Sequence, residues 1–437
     1  MGAGSGRLGY YMVRRLADVE TPARIVYVLT DMAESNVDSW REHPNLRPYL
    51  EAGLLDLAVF NPVTDSTLVC ERSRAVLRPG SVVNPVAAIA NYLFCVQRQD
   101  LYLSKMGPIF EEWVGWERTA GGRRGFFAGL KFVTEMAPIA SGRYREPRVD
   151  RLLHEVAGGG PVGLAGGIAP PRSRRFLFPI DPLRSLGTLS GISGGRFLLL
   201  IGERTGDPDG SARFLDMGVH GDSISLPVDL GIIDRLWRER GATLLRSERC
   251  SERLEVAAMI SGVATGGASR LSSKLEEILS DDPVGTITGA GRLCEDKAGT
   301  LSLIDALDLL RAVELDSRFL DYVAPVLLRD LPGAPPPLRA EACRVLKQVW
   351  EGYFALDGNS DVSISVAGLL AAAEDHAEAL AVLGSSDAAP IDPRARYLAA
   401  MCHASLGDPD AAQEAVDSAR DLDPGFATLR HPPPPAK

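Results

Sequence analysis

The chain is 437 residues long, enough for two or three domains, and 45% of it is hydrophobic, an ordinary globular share. Its formal charge of −10 argues against nucleic acid as the main partner, which needs a basic footprint. Six cysteines and six histidines are scattered without metal-ligand spacing, which argues against a zinc module and suits free thiols in a reducing compartment. No secretory signal core opens the chain, and no uninterrupted apolar run is long enough to span a membrane. The expected location is therefore cytoplasmic, or mitochondrial if an upstream transit peptide exists.

The chain opens with MGAGSGRLG, which puts Gly2, Gly4 and Gly6 in a G-x-G-x-G loop ahead of a helix over Leu8–Asp18. Glycines let a backbone approach a ligand closely, and a helix starting behind them offers free N–H groups to a ribose or phosphate. Such a loop normally follows a buried apolar strand, yet only Met1 precedes it here. The expectation is that the complete protein carries an upstream strand, about five apolar residues ending in an acidic one.

Arg24–Thr30 (RIVYVLT) predicts a buried strand ending at Asp31, and Ser35–Ala52 a helix broken up by Pro44 and Pro48. Further strands are predicted over Leu54–Phe60, ending at Asn61-Pro62, and over Pro85–Phe94. Strands alternating with helices imply a parallel α/β sheet. Between Tyr102 and Arg175 the pattern degrades into Gly121-Gly122, Gly158-Gly159-Gly160 and Pro170-Pro171 loops, with Leu130–Ala140 readable as strand or short helix. Order returns over Phe176–Leu186 and the strand Arg196–Ile201, which runs on to Gly202-Glu203. A helix over Leu230–Arg240, a strand over Thr243–Ser247 and a helix over Ser251–Ile260 close this region.

Gly262–Ser269 reads as a linker, and beyond it the chain is Ala- and Leu-rich with helical periodicity. Ala367, Ala379 and Leu383 recur about 33 residues later as Ala400, Ala412 and Val416, with the turn Leu406-Gly407-Asp408 between the second pair of helices. This pattern resembles the tetratricopeptide repeat; the alternative is an unrelated Ala-rich hairpin. The proline-rich end, residues 431–437, is expected to be disordered.

Asp31, at a strand end, can accept both hydroxyls of an adenosine ribose, or it can cap the following helix. Asn61 can read an adenine edge, or it can form an Asx turn before Pro62. His220 reads as a hydrogen-bonded structural histidine or as a base.

In this order and spacing, GAGSGR, VLTD, LDLAVFN and IANYLF resemble the core motifs of class I S-adenosylmethionine-dependent methyltransferases. IANYLFCVQ is similar to the ANE…DALP signature of the MidA-like branch, related to an arginine methyltransferase of complex I assembly, and His220–Gly241 is similar to a later stretch of that branch. The resemblance implies a Rossmann-like sheet and S-adenosyl-L-methionine as cofactor, with Gly2, Gly4 and Gly6 cradling it, Asp31 on its ribose, Asn61 on its adenine and Asn91 lining the transfer site. Tyr92 and Cys95 stand where the family has Glu and Asp, which weakens arginine as acceptor. Asp100 and Glu111 are the nearby carboxylates that could substitute.

The resulting expectation is an α/β methyltransferase-like domain over 1–263, a helical connecting region over 264–360 and tetratricopeptide-like repeats over 361–430. Methyl transfer to a protein acceptor is the expected activity, with a protein partner or substrate held by the repeats. The rivals are a catalytically inactive scaffold and an NAD-dependent oxidoreductase; the sequence shows no Tyr-x-x-x-Lys pair for the latter.

Overall fold

The computed structural model describes residues 1–20, 25–105, 108–118, 130–139, 141–158, 173–205, 218–220, 223–247, 254–263, 265–280, 283–297, 300–356, 362–386 and 389–423. The glycine and proline loops predicted at 121–122, 159–160 and 170–171, and the proline-rich end at 431–437, lie outside the described residues. The chain divides into two compact units, Met1–Asp282 and Pro283–Lys437.

The first unit opens with α1 (Arg7–Ala17), β1 (Tyr27–Asp31), α2 (Glu34–Glu42), α3 (Arg47–Ala52) and β2 (Leu55–Val59). The helical stretch predicted over 35–52 is broken as expected: His43 is extended, and Pro48 stands in the first turn of a new helix. A small hairpin, β3 (Leu68–Val69) and β4 (Val76–Leu77), precedes β5 (Val86–Asn91). An antiparallel insert follows, with β6 (Asp100–Lys105), β7 (Ile109–Arg118), β8 (Leu130–Pro138), α4 (Pro147–Ala157) and β9 (Ser173–Phe178). Its strands lie in the order β8-β7-β6-β9, so the ambiguous stretch at 130–140 is a strand. The chain then returns through α5 (Ile180–Ile192) to β10 (Phe197–Arg204), a hairpin of β11 (Gly218–His220) and β12 (Ser223–Ser225), α6 (Leu230–Arg238), β13 (Thr243–Arg246), β14 (Leu254–Ser261) and α7 (Thr265–Ser280).

The main sheet has the order β13-β14-β10-β5, with β5 parallel to β10 and β14 antiparallel to both its neighbours. β1 and β2 form a separate parallel pair. The chain start links the two. Met1 donates its amino N–H to the Ile89 carbonyl of β5 at 2.8 Å, and Ala3 donates its N–H to the Thr30 carbonyl of β1 at 2.9 Å. The strands therefore run β2-β1, then residues 1–3, then β5-β10-β14-β13, and successive connections reverse direction where the glycine loop sits.

One expectation needs correction. Of the helix predicted over 251–260, the described residues 254–260 are extended: Leu254–Ser261 is strand β14, hydrogen-bonded on both sides. Ala257, Ala258, Met259 and Ile260 favour a helix locally, but all are buried, and packing on two faces of a sheet overrides that propensity. The first compact unit runs to Asp282. The predicted linker opens α7, whose Leu275 and Leu279 bury against Ala258 and Ile260 of β14.

The second unit is helical throughout its described residues: α8 (Pro283–Lys297), α9 (Leu303–Ala312), α10 (Leu320–Asp330), α11 (Pro336–Glu351), α12 (Val362–Ala372), α13 (His376–Gly384), α14 (Pro393–Ser405) and α15 (Pro409–Leu422). Helix α8 is poorly legible in GTITGAG because Gly and Thr are weak helix formers. Packing explains its presence, since Gly291 lets the ring of Tyr322 from α10 approach within 3.5 Å of where a Cβ would be. The last four helices form two hairpins with the predicted small-residue seam, Ala367, Ala379, Ala400 and Ala412, all buried. Asp375 and Asp408, one repeat apart, each accept an N–H from the residue three further on, Glu378 and Ala411.

Candidate functional site at the strand reversal

The glycine loop is built by two devices. Gly4 and Gly6 have φ of +54° and +81°, a left-handed conformation that L side chains adopt at a cost. Trp40 of α2, fully buried, donates its indole N–H to the Gly4 carbonyl at 3.1 Å, and the same ring lies 2.8 Å from where a Cβ on Gly6 would stand. Gly9 lets α1 close on β1, because a Cβ there would meet Leu29 at 2.2 Å. Gly2 packs against Leu93, just beyond β5. Gly4 differs from all three: a Cβ there meets nothing within 4 Å.

Asp31 at the end of β1 holds this loop. Its Oδ2 accepts the Gly4 N–H at 2.9 Å and its Oδ1 the Ala33 N–H at 3.0 Å, just ahead of α2. Asp31 is not the N-cap of α2, which is Ala33 and carries no side-chain cap; its carboxylate instead closes a short turn ahead of that helix and holds the glycine loop. Each carboxylate oxygen keeps lone-pair capacity beyond these single bonds. Asn61 follows β2, where Phe60 donates to the Asp31 carbonyl at 2.8 Å. Its Oδ1 accepts the Val63 N–H at 3.0 Å, the Asx turn foreseen before Pro62. Asn91 ends β5 and is exposed, with its Oδ1 over Gly202 of β10, where a Cβ would come within 2.5 Å. Asp31, Asn61 and Asn91 therefore each stand at or just beyond the carboxyl end of a parallel strand, the location where open α/β sheets bind ligands.

Tyr92, noted in the sequence for replacing a family Glu, takes φ +51°, an outlier for an aromatic residue that the sequence did not announce, and is 47% exposed beside Asn91. Two further features went unread. Glu203, fully buried at the end of β10, accepts the Phe94 N–H at 2.6 Å and the Cys95 N–H at 3.1 Å. Burial pushes its carboxyl up to about 7 against the pull of these donors, and burial together with Glu203 pushes the Cys95 thiol far above its usual range. The only signal for Glu203 is a charged residue directly after an apolar strand. Trp40 is the second, its role legible only from the fold.

The carboxylates offered as substitutes at Tyr92 and Cys95 are committed elsewhere. Asp100 accepts from Arg98 at 2.9 Å and from the Tyr144 hydroxyl at 2.8 Å, while Glu111 pairs with Arg143 at 2.6 Å. Only the backbone of His220 is described, in β11. Among the described residues no His, Cys, Asp and Glu cluster could hold a metal, and Cys70, Cys95, Cys294, Cys343 and Cys402 are buried free thiols.

The fold defines the class first: a mixed α/β unit followed by a helical one whose last hairpins repeat. A tetratricopeptide repeat family profile matches residues 370–430, from the last turn of α12 through α13, α14 and α15. Tetratricopeptide repeats generally mediate protein–protein contact, as stacked helix pairs bury one face and present another. No curated protein and no solved structure matches the chain. No helix among the described residues is long and apolar enough to cross a membrane.

Proposed function

We propose that the α/β unit binds S-adenosyl-L-methionine at the glycine loop and transfers its methyl group to a protein acceptor brought by the helical repeats. The observation that carries this reading is the open space over Gly4, beside the Asp31 carboxylate, at the reversal of strand order. The strand order, with one antiparallel strand set between parallel ones, also agrees with the Rossmann-like methyltransferase sheet that the sequence resemblance implies. Gly4 would admit the cofactor's backbone-side approach, Asp31 would accept its ribose hydroxyls with its remaining lone pairs, and Asn61 would flank the adenine. The cofactor supplies an already activated methyl group, so the chain needs chiefly to align the acceptor and exclude water. Asn91 and Tyr92, both exposed at the end of β5, would make that alignment. Incubation with methyl-labelled cofactor and a cell extract tests the reading: label should enter protein with the parent chain and fall by about tenfold or more with Asn91→Ala. Label entering equally with both would remove Asn91 from the site.

The second reading, an inactive scaffold working through its repeats, draws on one observation: no carboxylate stands at Tyr92 or Cys95, and the Asp31 and Asn61 oxygens already serve local turns. It predicts partner capture without label transfer.

A further inference from the structure

A second cavity lies in the α/β unit, between the antiparallel insert and helices α4, α5 and α6. Its volume is about 570 Å³, within the range of small-molecule pockets. None of the glycine-loop, Asp31, Asn61 or Asn91 residues lines it. Five of its lining side chains are arginines: Arg98, Arg143, Arg145, Arg184 and Arg240. Its floor is apolar, with Val149, Ile180, Leu183 and Leu236, all of them buried.

The arginines carry more donor capacity than the protein uses. Arg98 pairs with Asp100 at 2.8 Å, Arg184 with Asp181 at 2.8 Å, and Arg240 with Glu146. Arg143 reaches Glu111 through one terminal nitrogen, yet its Nε is buried with no hydrogen-bond partner. An unpaired buried donor on a cationic group is costly. Arg145 is exposed and has no carboxylate within ion-pair reach among the described residues. Four of the five arginines are matched by a carboxylate, Asp100, Glu111, Asp181 or Glu146, so the wall keeps an excess of one positive charge, at Arg145.

Gly187 adds an independent sign. It sits in the middle of α5, where glycine costs about 0.5–1 kcal/mol relative to alanine. No packing neighbour requires it, because a Cβ there meets nothing within 4 Å. Its missing side chain widens the cavity.

We infer that this cavity binds a small organic anion, an apolar body on the Val149–Leu236 floor with a carboxylate or phosphate group among the arginines. The inference is independent of the methyl-transfer reading. Guanidinium groups match both head groups through paired N–H donors, so the shared chemistry is a planar or tetrahedral oxyanion.

Calorimetric titration of the intact chain with naphthoate, naphthyl phosphate and the neutral naphthamide tests it. The expected result is binding of at least one anion, with the amide at least about tenfold weaker, the usual effect of losing a charge-assisted bond. The tighter of the two anions assigns the head group. Arg145→Gln should weaken that anion about tenfold, while Arg148→Gln, three residues on in the first turn of α4 but outside the cavity wall, should leave it unchanged. Gly187→Leu should abolish binding yet melt at or above the parent temperature, because it fills the cavity and favours the helix. Equal affinity for the amide, no heat with either anion at millimolar concentration, parental affinity in Arg145→Gln, or parental affinity in Gly187→Leu would each overturn the inference.

Discussion

Replacing Gly4 and Gly6 separately by alanine divides ligand access from folding within one loop. Both positions are left-handed, so each alanine costs about 1–2 kcal/mol of backbone strain. At Gly6 the new methyl also collides with the buried Trp40 ring, 2.8 Å away, and overpacking adds about 1–3 kcal/mol. Trp40 cannot easily yield, since its indole nitrogen holds the Gly4 carbonyl. Gly6→Ala should therefore lose about 2–5 kcal/mol, and Gly4→Ala only about 1–2 kcal/mol, because nothing opposes its methyl. For a unit of this size that is a melting shift of roughly 2–8 °C for Gly4→Ala and twice that or more for Gly6→Ala. Ligand binding should rank them the other way once each is measured well below its melting point. Gly4→Ala should lose cofactor affinity by about tenfold or more, because its methyl projects into the space left for the ligand. Differential scanning fluorimetry with calorimetric titration reads both quantities. Equal destabilisation by the two variants, or undiminished affinity in Gly4→Ala, would refute the assignment of the open space to a ligand.

Three further outcomes follow from single contacts. Glu203 has a carboxyl raised by burial to about 7 from an ordinary 4.5, so its protonated form favours the fold. Its stabilising contribution, about 3 kcal/mol, is full below pH ~4.5 and is lost as pH rises through ~7; urea melts at several pH values should show that slope in the parent and a flatter one in Glu203→Gln. Gly202→Ala should press on the flexible Asn91 amide rather than on backbone, costing under about 1 kcal/mol in stability while lowering label transfer severalfold; unchanged transfer would mean Asn91 needs no fixed position. Ala400→Leu should overpack the repeat seam, destabilise the helical unit by about 1–3 kcal/mol and remove partner capture in a pull-down, with cofactor affinity untouched. A loss of cofactor affinity there would mean the two units do not act separately.

The parts of the fold legible in the sequence were those with a single dominant local signal. β1, β2, β5 and β10 are short Val- and Ile-rich or Leu-rich runs ended by polar residues, and each lies within about three residues of its predicted bounds. The repeat seam was legible because small residues recur at fixed spacing, and the family match covers its last three members, Ala379, Ala400 and Ala412. Strand β14 was not, because its alanines speak for a helix and only the neighbouring strands make it extended. The antiparallel insert was obscured by glycine-rich intervals and by buried charges, such as Glu112 paired with Arg175, inside its strands. At the site, Asp31 and the glycines could be read from their positions at strand ends. Glu203, Trp40 and the arginine cavity could not, since each depends on residues brought together across 36 or more positions.

The central claim is that the crevice at Gly4 and Asp31 is a S-adenosyl-L-methionine site. Calorimetric titration of the full chain with this cofactor, its demethylated product and NAD addresses it most directly. The account predicts saturable binding of the first two, none of NAD, and a loss of about 1–3 kcal/mol in Asp31→Ala, the cost of removing hydrogen bonds to a charged group. Binding of NAD in their place, or no binding of any of the three by a cooperatively folded chain, would contradict it.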